Sequence, residues 1–336
     1  MKLAILGSGM IVHDALYAIE PLKEIEKNAI LVREHSLDKG KALKEKYNIK
    51  EVYTDYDELL EKADIDTVYI GLVNNVHYEY AKKALEKGKH VILEKPLVGT
   101  YEEAKDLMDI AKKNNLYVLE AITVLHNEVI EKMKEALPKL GPIKMMFSNY
   151  SQYSSRYDKY LNGEVDHCFD PEYLGGALRD INIYNIHYAV YLLGMPIETT
   201  YYPNNGFNGI DTSGVLVMKY EDYTAVCTGA KDSDRPGFVT IQGEKGYMKI
   251  DGKPNSAPNL TIVLNSETGD STKRDASGGI LRAIEKEEFV PREVHHRMTQ
   301  EFKDFAMIID NHDSDMANML MEESLQVMKV IGKTIK

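Results

Sequence analysis

The chain has 336 residues, more than a single hydrophobic core usually serves, so two domains are expected. Its 43% hydrophobic and 28% charged residues suit a globular protein, and a net charge of -12 argues against binding a nucleic-acid backbone. Cys168 and Cys227 are too few for a disulfide framework or a zinc–thiolate cluster, and no stretch approaches the length of a membrane span.

The first half alternates short apolar runs with helical periodicity. The opening "KLAILGSG" predicts a buried strand running into glycines rather than a signal peptide, and so a cytoplasmic protein. Further strands are predicted over Asn28–Val32, Thr67–Leu72, His90–Glu94 and Leu116–Ala121. A helix follows the second strand through Lys46. Another is marked by His77, Tyr80, Ala81, Ala84 and Leu85, with Gly88 closing it, and a third by Ala104, Leu107, Met108 and Ala111. Strands and helices at these intervals predict a parallel sheet with helices on both faces. After Ala121 the rhythm becomes that of alternating strands. "IKMMFSNYSQYS", "TSGVLVMKY", "YTAVCTGA", "GFVTIQG" and "YMKI" predict an antiparallel or mixed sheet, with a turn at Gly243–Gly246. Helices are expected near Asn182–Leu193 and over Arg297–Lys333, the latter interrupted within Asp310–Asp315. Leu264–Gly279 is the expected mobile loop.

Gly7-Ser8-Gly9-Met10-Ile11 follows the first strand. In a dinucleotide fold the first glycine makes the tight turn, the second lets backbone approach a pyrophosphate, and free N–H groups at the helix start face the phosphates. Val12 stands where the full fingerprint has its third glycine. Glu34, after the second strand, is placed to accept from the adenosine ribose and argues for NAD. Arg33, His35 or Lys39 would meet a 2'-phosphate and argue for NADP. The cofactor is therefore NAD or NADP, with the balance toward NAD.

The strand His90–Glu94 leads straight into Lys95 and Pro96. A lysine at a strand end is held more firmly than one on a loop, and its charge can stabilise a nearby alkoxide or phenolate. The glycine turn together with "GKHVILEKP" resembles the Gfo/Idh/MocA oxidoreductase family, whose EKP motif is matched by Glu94-Lys95-Pro96. The resemblance extends to Leu72–His77, where the family commonly has Thr-Pro-Asn-x-x-His, and to Glu120-Ala121. It continues through "GGALRDINIYNIH" (Gly175 to His187) and "IQGEKGYMKI" (Ile241 to Ile250). It implies an N-terminal Rossmann domain, residues 1–121, and a C-terminal α/β domain, residues 122–336, with a largely antiparallel or mixed open sheet. The last helix would pack back on the first domain. The resemblance also implies that Asn74, His77, Glu94 and Lys95 lie near the cofactor.

Many members of the resembled family have Asp-x-Gly-x-His, with the histidine as acid/base. Here the segment is Asp180-Ile181-Asn182-Ile183-Tyr184, so the resemblance implies Tyr184 as proton donor and acceptor, Lys95 as its electrostatic partner and Asp180 as an orienting or substrate-binding group. A free tyrosine has a pKa of about 10, and an adjacent ammonium is expected to draw it toward working pH. His187 is the rival or a second acid/base, a substrate contact, or a core-facing histidine on the helix. Gln152, Arg156 and Tyr157, in a hydroxyl-rich stretch, and His126 are further candidate substrate contacts. No metal site is read. The expected activity is hydride transfer between nicotinamide and a hydroxyl or carbonyl carbon of a small, sugar- or polyol-like substrate. Alternatives are a non-sugar carbonyl or cyclic diol as substrate, or a non-catalytic nucleotide-binding regulator. An open sheet face needs cover, so a homodimer or higher homo-oligomer is expected, with no nucleic-acid or membrane partner.

Overall fold

The computed structural model describes residues 1–266, 274, 276–278 and 283–334. The chain opens with β1 (Lys2–Leu6), α1 (Met10–Ile19), β2 (Glu26–Leu31), α2 (Leu37–Tyr47), β3 (Glu51–Tyr53) and α3 (Tyr56–Lys62). It continues through β4 (Thr67–Ile70), α4 (His77–Glu86), β5 (His90–Glu94), α5 (Tyr101–Asn114) and β6 (Val118–Ala121). These strands form a six-stranded parallel sheet in the order β3-β2-β1-β4-β5-β6, the doubly wound order whose switch point lies between β1 and β4. Leu3 to Leu6 and Val91 to Leu93 are at most 1% exposed, as strands covered on both faces must be. Of the periodic positions read in the sequence, His77, Ala81, Ala84 and Leu85 in α4 and Ala104, Leu107, Met108 and Ala111 in α5 are buried, and Tyr80 is half-buried. A capping box between Thr100 and Glu103 fixes the start of α5.

The rest of the chain is α6 (Glu128–Ala136), β7 (Ile143–Ser151), α7 (Tyr157–Leu161), α8 (Ile183–Leu193), β8 (Glu198–Asn205), β9 (Asp211–Lys219) and β10 (Thr224–Ala230). There follow β11 (Phe238–Gly243), β12 (Gly246–Asp251), β13 (Leu260–Asn265), β14 (Ile284–Phe289), α9 (Thr299–Asp310) and α10 (Ser314–Thr334). The eight strands form one mixed sheet, β14-β13-β12-β11-β7-β10-β9-β8, in which only β7 and β10 run parallel. One face of its centre is buried through Met146, Leu216, Cys227, Val239, Ile241 and Met248, and α8 lies against β7 and β10. The other face keeps Met145, Phe147, Val215 and Tyr247 exposed.

Both outer strands escaped the sequence reading. β14 carries the charged run Glu285, Lys286, Glu287 and Glu288, and β8 carries Pro203, which is how edge strands discourage further pairing and why they lack an apolar signature. The C-terminal interruption falls between Asp310 and Ser314, and α10 returns to pack on α5, β6 and α8. The expected loop Leu264–Gly279 lies largely outside the described residues, although Leu264 and Asn265 belong to β13. Among the described residues no helix is long and apolar enough to cross a membrane.

Candidate active site

The glycine turn is shaped by a close approach. Gly7 has φ +113°, and a Cβ there would stand 2.7 Å from the Gly71 carbonyl. Val12, in place of the third glycine, is fully buried and packs where a Cβ on Gly71 would intrude. The close helix–strand contact thus uses a glycine at the end of β4 instead of one in α1. Gly9 begins α1 with no side-chain cap and no acidic residue in the first turn, and the space beside it is open. These features fit a pyrophosphate, which would take the place of a cap. Ser8 and Ile11 are half-buried there, and Met10 is exposed. Glu34 and His35 are exposed after β2, with the Thr54 hydroxyl donating to Glu34 at 2.6 Å.

Where β5 ends, the Lys95–Pro96 peptide is cis. Lys95 Nζ donates to Asp180 Oδ1 at 2.6 Å and to the Asp180 carbonyl at 2.8 Å. The same ammonium lies 5.5 Å from the centre of the Tyr184 ring. Tyr150 of β7 meets that ring edge-on, with centroids 5.6 Å apart. Asp180 and Tyr184 are presented by a wide π turn, Leu178–Asn182, that runs into α8. Gly176 precedes it with φ +101°, and a Cβ there would collide with the Asp211 carboxylate that holds the Leu178 amide at 2.7 Å. Asn182, at the position of the family's glycine, donates to the Cys227 carbonyl at 3.0 Å and pins the turn to β10. This is why the Asp–Tyr segment faces Lys95.

Sequence reasoning missed two cations here. Lys231, just after β10, places Nζ 2.7 Å from Asp180 Oδ2, so the carboxylate is clasped between two ammonium groups. Burial alone would raise the pKa of Asp180, but Lys95 and Lys231 hold it far below the usual carboxylate range. Burial likewise works against the Lys95 charge and is outweighed by Asp180 and Tyr184, leaving its pKa raised. Arg297, just before α9, acts electrostatically on Tyr184 together with Lys95. A charged residue terminating an apolar strand, the pattern that singled out Lys95, was also present at Lys231.

The expectation that Lys95 draws the Tyr184 pKa down holds for its own effect, but the net position near working pH is corrected. Burial raises the phenol, and the opposing pull of Lys95 and Arg297 only limits that rise. Four other expected roles are also revised by geometry. His187 is fully buried, with Nδ1 2.9 Å from Glu323 and Nε2 3.6 Å from Glu120, so it is a core residue rather than a substrate contact. His126 bonds Asp304 at 2.8 Å and packs edge-on against Phe305, again inside the fold. His77 is fully buried, its ring nitrogens facing the Leu72, Pro96 and Leu97 carbonyls at 3.2 to 3.3 Å, which braces the Lys95 turn from behind instead of contacting a cofactor. Glu94 is buried beneath the turn and accepts from Tyr69 at 2.7 Å, because strand alternation sends its side chain away from that of Lys95. Asn74 donates to the Leu174 carbonyl at 3.1 Å, joining the turn after β4 to the segment before the glycine pair.

Among the candidate substrate contacts, Tyr157 packs on Phe169, over which Lys231 sits at 4.4 Å, so it is one ring away from the Asp180 clasp. Arg156 pairs with Asp166 at 3.1 Å, and Gln152 accepts from Lys253 at 2.8 Å. Neither bonds the Lys95–Asp180 pair.

Comparison with known proteins gives the family and the fold. Residues 1–121 match the family described as oxidoreductase family, NAD-binding Rossmann fold, and residues 130–249 match the GFO/IDH/MocA C-terminal domain. The scyllo-inositol 2-dehydrogenase (NADP(+)) IolU of Bacillus subtilis is 31% identical over 254 residues, covering 75% of this chain and 76% of that protein. The trans-1,2-dihydrobenzene-1,2-diol dehydrogenase of Xenopus tropicalis is 25% identical over 341 residues, covering 98% of each chain. In fold, the chain resembles the 3-ketoreductase KijD10 of Actinomadura kijaniata, solved with NADP and TDP-benzene, with a TM-score of 0.82 at 21% identity over 99% of this chain and 96% of that one. A levoglucosan dehydrogenase solved with NADH gives a TM-score of 0.81 at 18% identity over 100% and 96%. With both halves matched in order and the Lys95 turn facing the Asp180–Tyr184 segment, the chain belongs to the Gfo/Idh/MocA family of oxidoreductases.

Proposed function

We propose that this protein is an NAD(P)-dependent dehydrogenase or reductase for a hydroxyl or carbonyl carbon of a small, sugar- or polyol-like molecule. The observation that carries the reading is the meeting of Lys95, Asp180 and Tyr184 at the end of β5, on the sheet edge where the β1–α1 glycine turn also lies. When bound, the nicotinamide supplies the hydride acceptor or donor. Backbone N–H groups of Ser8 to Ile11 would hold the pyrophosphate, the Gly7 N–H being committed to the Leu31 carbonyl at 2.9 Å, and Glu34 would take the ribose hydroxyls in a protein that uses NAD. Tyr184 exchanges the proton with the substrate oxygen. Lys95 stabilises negative charge on either oxygen as the proton moves, and Asp180 fixes the Lys95 ammonium.

The names of the relatives support the substrate class, since inositol, levoglucosan and a dihydrodiol all present ring hydroxyls. A cyclic diol is the second reading, favoured by the 98% coverage of the dihydrodiol dehydrogenase. Those names include both NADP and NADH, so the lean toward NAD rests on Glu34 alone. We propose further that residues 1–121 bind cofactor, that residues 122–336 bind substrate, and that the open sheet face pairs with a second copy. Fluorescence titration with NADH and NADPH, followed by a screen of inositols, aldoses, cyclic diols and dicarbonyls, tests the reading. Failure to bind either cofactor would overturn it.

A further inference from the structure

Lys231 is 2% exposed, so its ammonium has been taken out of water and must be repaid by partners. Its backbone is fixed on both sides: the amide donates to the Thr212 carbonyl at 2.8 Å, and its carbonyl accepts from Ser154 at 2.9 Å. The side chain then reaches Asp180 Oδ2 at 2.7 Å, the Cys168 carbonyl at 2.7 Å and the face of Phe169 at 4.4 Å. Those contacts leave the ammonium well satisfied, and none of them is needed to hold the β10 backbone.

The charges explain what it does. Lys95 and Asp180, at 2.6 Å, would nearly cancel one another when seen from the Tyr184 hydroxyl. An ion pair so neutralised is a poor stabiliser of a nearby phenolate. With Lys231 on the other carboxylate oxygen, the three groups together carry one net positive charge. We propose that Lys231 is a positioning residue for proton transfer: by compensating Asp180, it lets that carboxylate hold Lys95 without extinguishing the positive field at Tyr184. The inference rests on the reading of Tyr184 as the proton-exchanging group. The other groups acting on Tyr184 are Arg297 and Glu94, of opposite sign, and the Tyr150 ring; none of these bonds Lys231.

The test follows Tyr184 directly and needs no turnover. In full-length protein carrying 3-fluorotyrosine, whose phenol is more acidic, the fluorine resonance of position 184 is assigned by its loss in Tyr184→Phe and titrated. Lys231→Met is expected to move its midpoint upward by about one pH unit, through loss of a nearby positive charge. Adding Asp180→Asn restores the net charge and is expected to recover most of that shift, whereas a merely structural lysine would leave the midpoint of Lys231→Met where the unsubstituted protein has it. Asp180→Asn alone moves the midpoint below that of the unsubstituted protein, and the double variant should titrate about one pH unit above it, which reads the loss of Lys231 in a background without the buried carboxylate and keeps the test decisive should Lys231→Met fail to fold. With a substrate in hand, Lys231→Met lowers kcat by about tenfold with little change in KM. A midpoint unmoved by Lys231→Met, or the same in Asp180→Asn as in the double variant, overturns the proposal. Titrations that move as expected in a protein that turns over no hydroxyl or carbonyl compound sustain the charge arrangement and sink the oxidoreductase reading.

Discussion

His187 Nδ1 lies 2.9 Å from both carboxylate oxygens of Glu323, tying α8 to the C-terminal helix inside the core. Glu120 of β6 stands on the other side of the ring at 3.6 Å and itself accepts the Leu97 amide at 2.9 Å, two residues beyond Lys95. Burial would lower the imidazole pKa, but the two carboxylates outweigh it and raise it. A folded pKa above the unfolded one, about 6.5, means the charged ring stabilises the fold fully below that pH. The contribution is lost as pH climbs through the raised value. His187→Asn leaves two carboxylates without their cation and is expected to cost about 3–5 kcal/mol. Denaturant unfolding at stepped pH checks this: the unsubstituted protein should lose stability above about pH 6.5, and the variant should lack that part of the slope.

On the proposed reading, cofactor choice turns on Glu34. Its carboxylate is exposed beside Thr54, free to accept from ribose hydroxyls but repulsive toward a 2'-phosphate. Glu34→Ala should weaken NADH binding by about tenfold or more, the scale of a lost charged hydrogen bond, while NADPH binding holds or improves. Titrations of both forms with both cofactors measure it. Tighter binding of NADPH by the unsubstituted protein would remove the argument.

The parts legible in the sequence were those where one physical signal acts alone. The β5 strand His90–Glu94 was read to its ends because burial on both faces demands an unbroken apolar run. Glu51–Tyr53 was not read, since three residues are too few to show a period. At the site, Lys95 and Tyr184 stood out through the motif order, while Lys231 is carried by no such motif and is tied to Asp180 only by the tertiary fold. The histidines were ambiguous for a related reason. His77, His126 and His187 are spelled like catalytic residues, but each is committed to carbonyls or carboxylates that only the tertiary fold brings to it.

Register across the mixed sheet aligns Val217, Val226, Phe147 and Thr240 in one row on the face opposite Met146 and Leu216. Such a row of apolar and hydroxyl side chains is suited to burial against a copy of itself. Phe147→Lys with Val226→Lys should leave the monomer fold intact, since neither side chain enters the core, and should abolish self-association. Sedimentation equilibrium at low micromolar concentration decides it, and an unsubstituted protein that is monomeric throughout would refute the pairing.

Tyr184 and Lys95 carry the sharpest expectation. Tyr184→Phe removes one hydroxyl from a ring that stays packed on Tyr150, so folding and cofactor affinity should persist while turnover falls about a hundredfold or more. Lys95→Met should also cripple turnover. Because Lys95 opposes the burial that raises Tyr184, its loss should move the basic limb of the pH–rate profile further up. The double variant should be little worse than the worse single, as expected of groups serving one proton transfer. His187→Asn supplies the control: assayed under conditions where it remains folded, it should keep most of its turnover per molecule, because its ring faces Glu120 and Glu323 and not Lys95. Should Tyr184→Phe instead turn over at the unsubstituted rate while folded His187→Asn is inactive, the proton would have to pass through the core histidine, and the assignment of Tyr184 would be wrong.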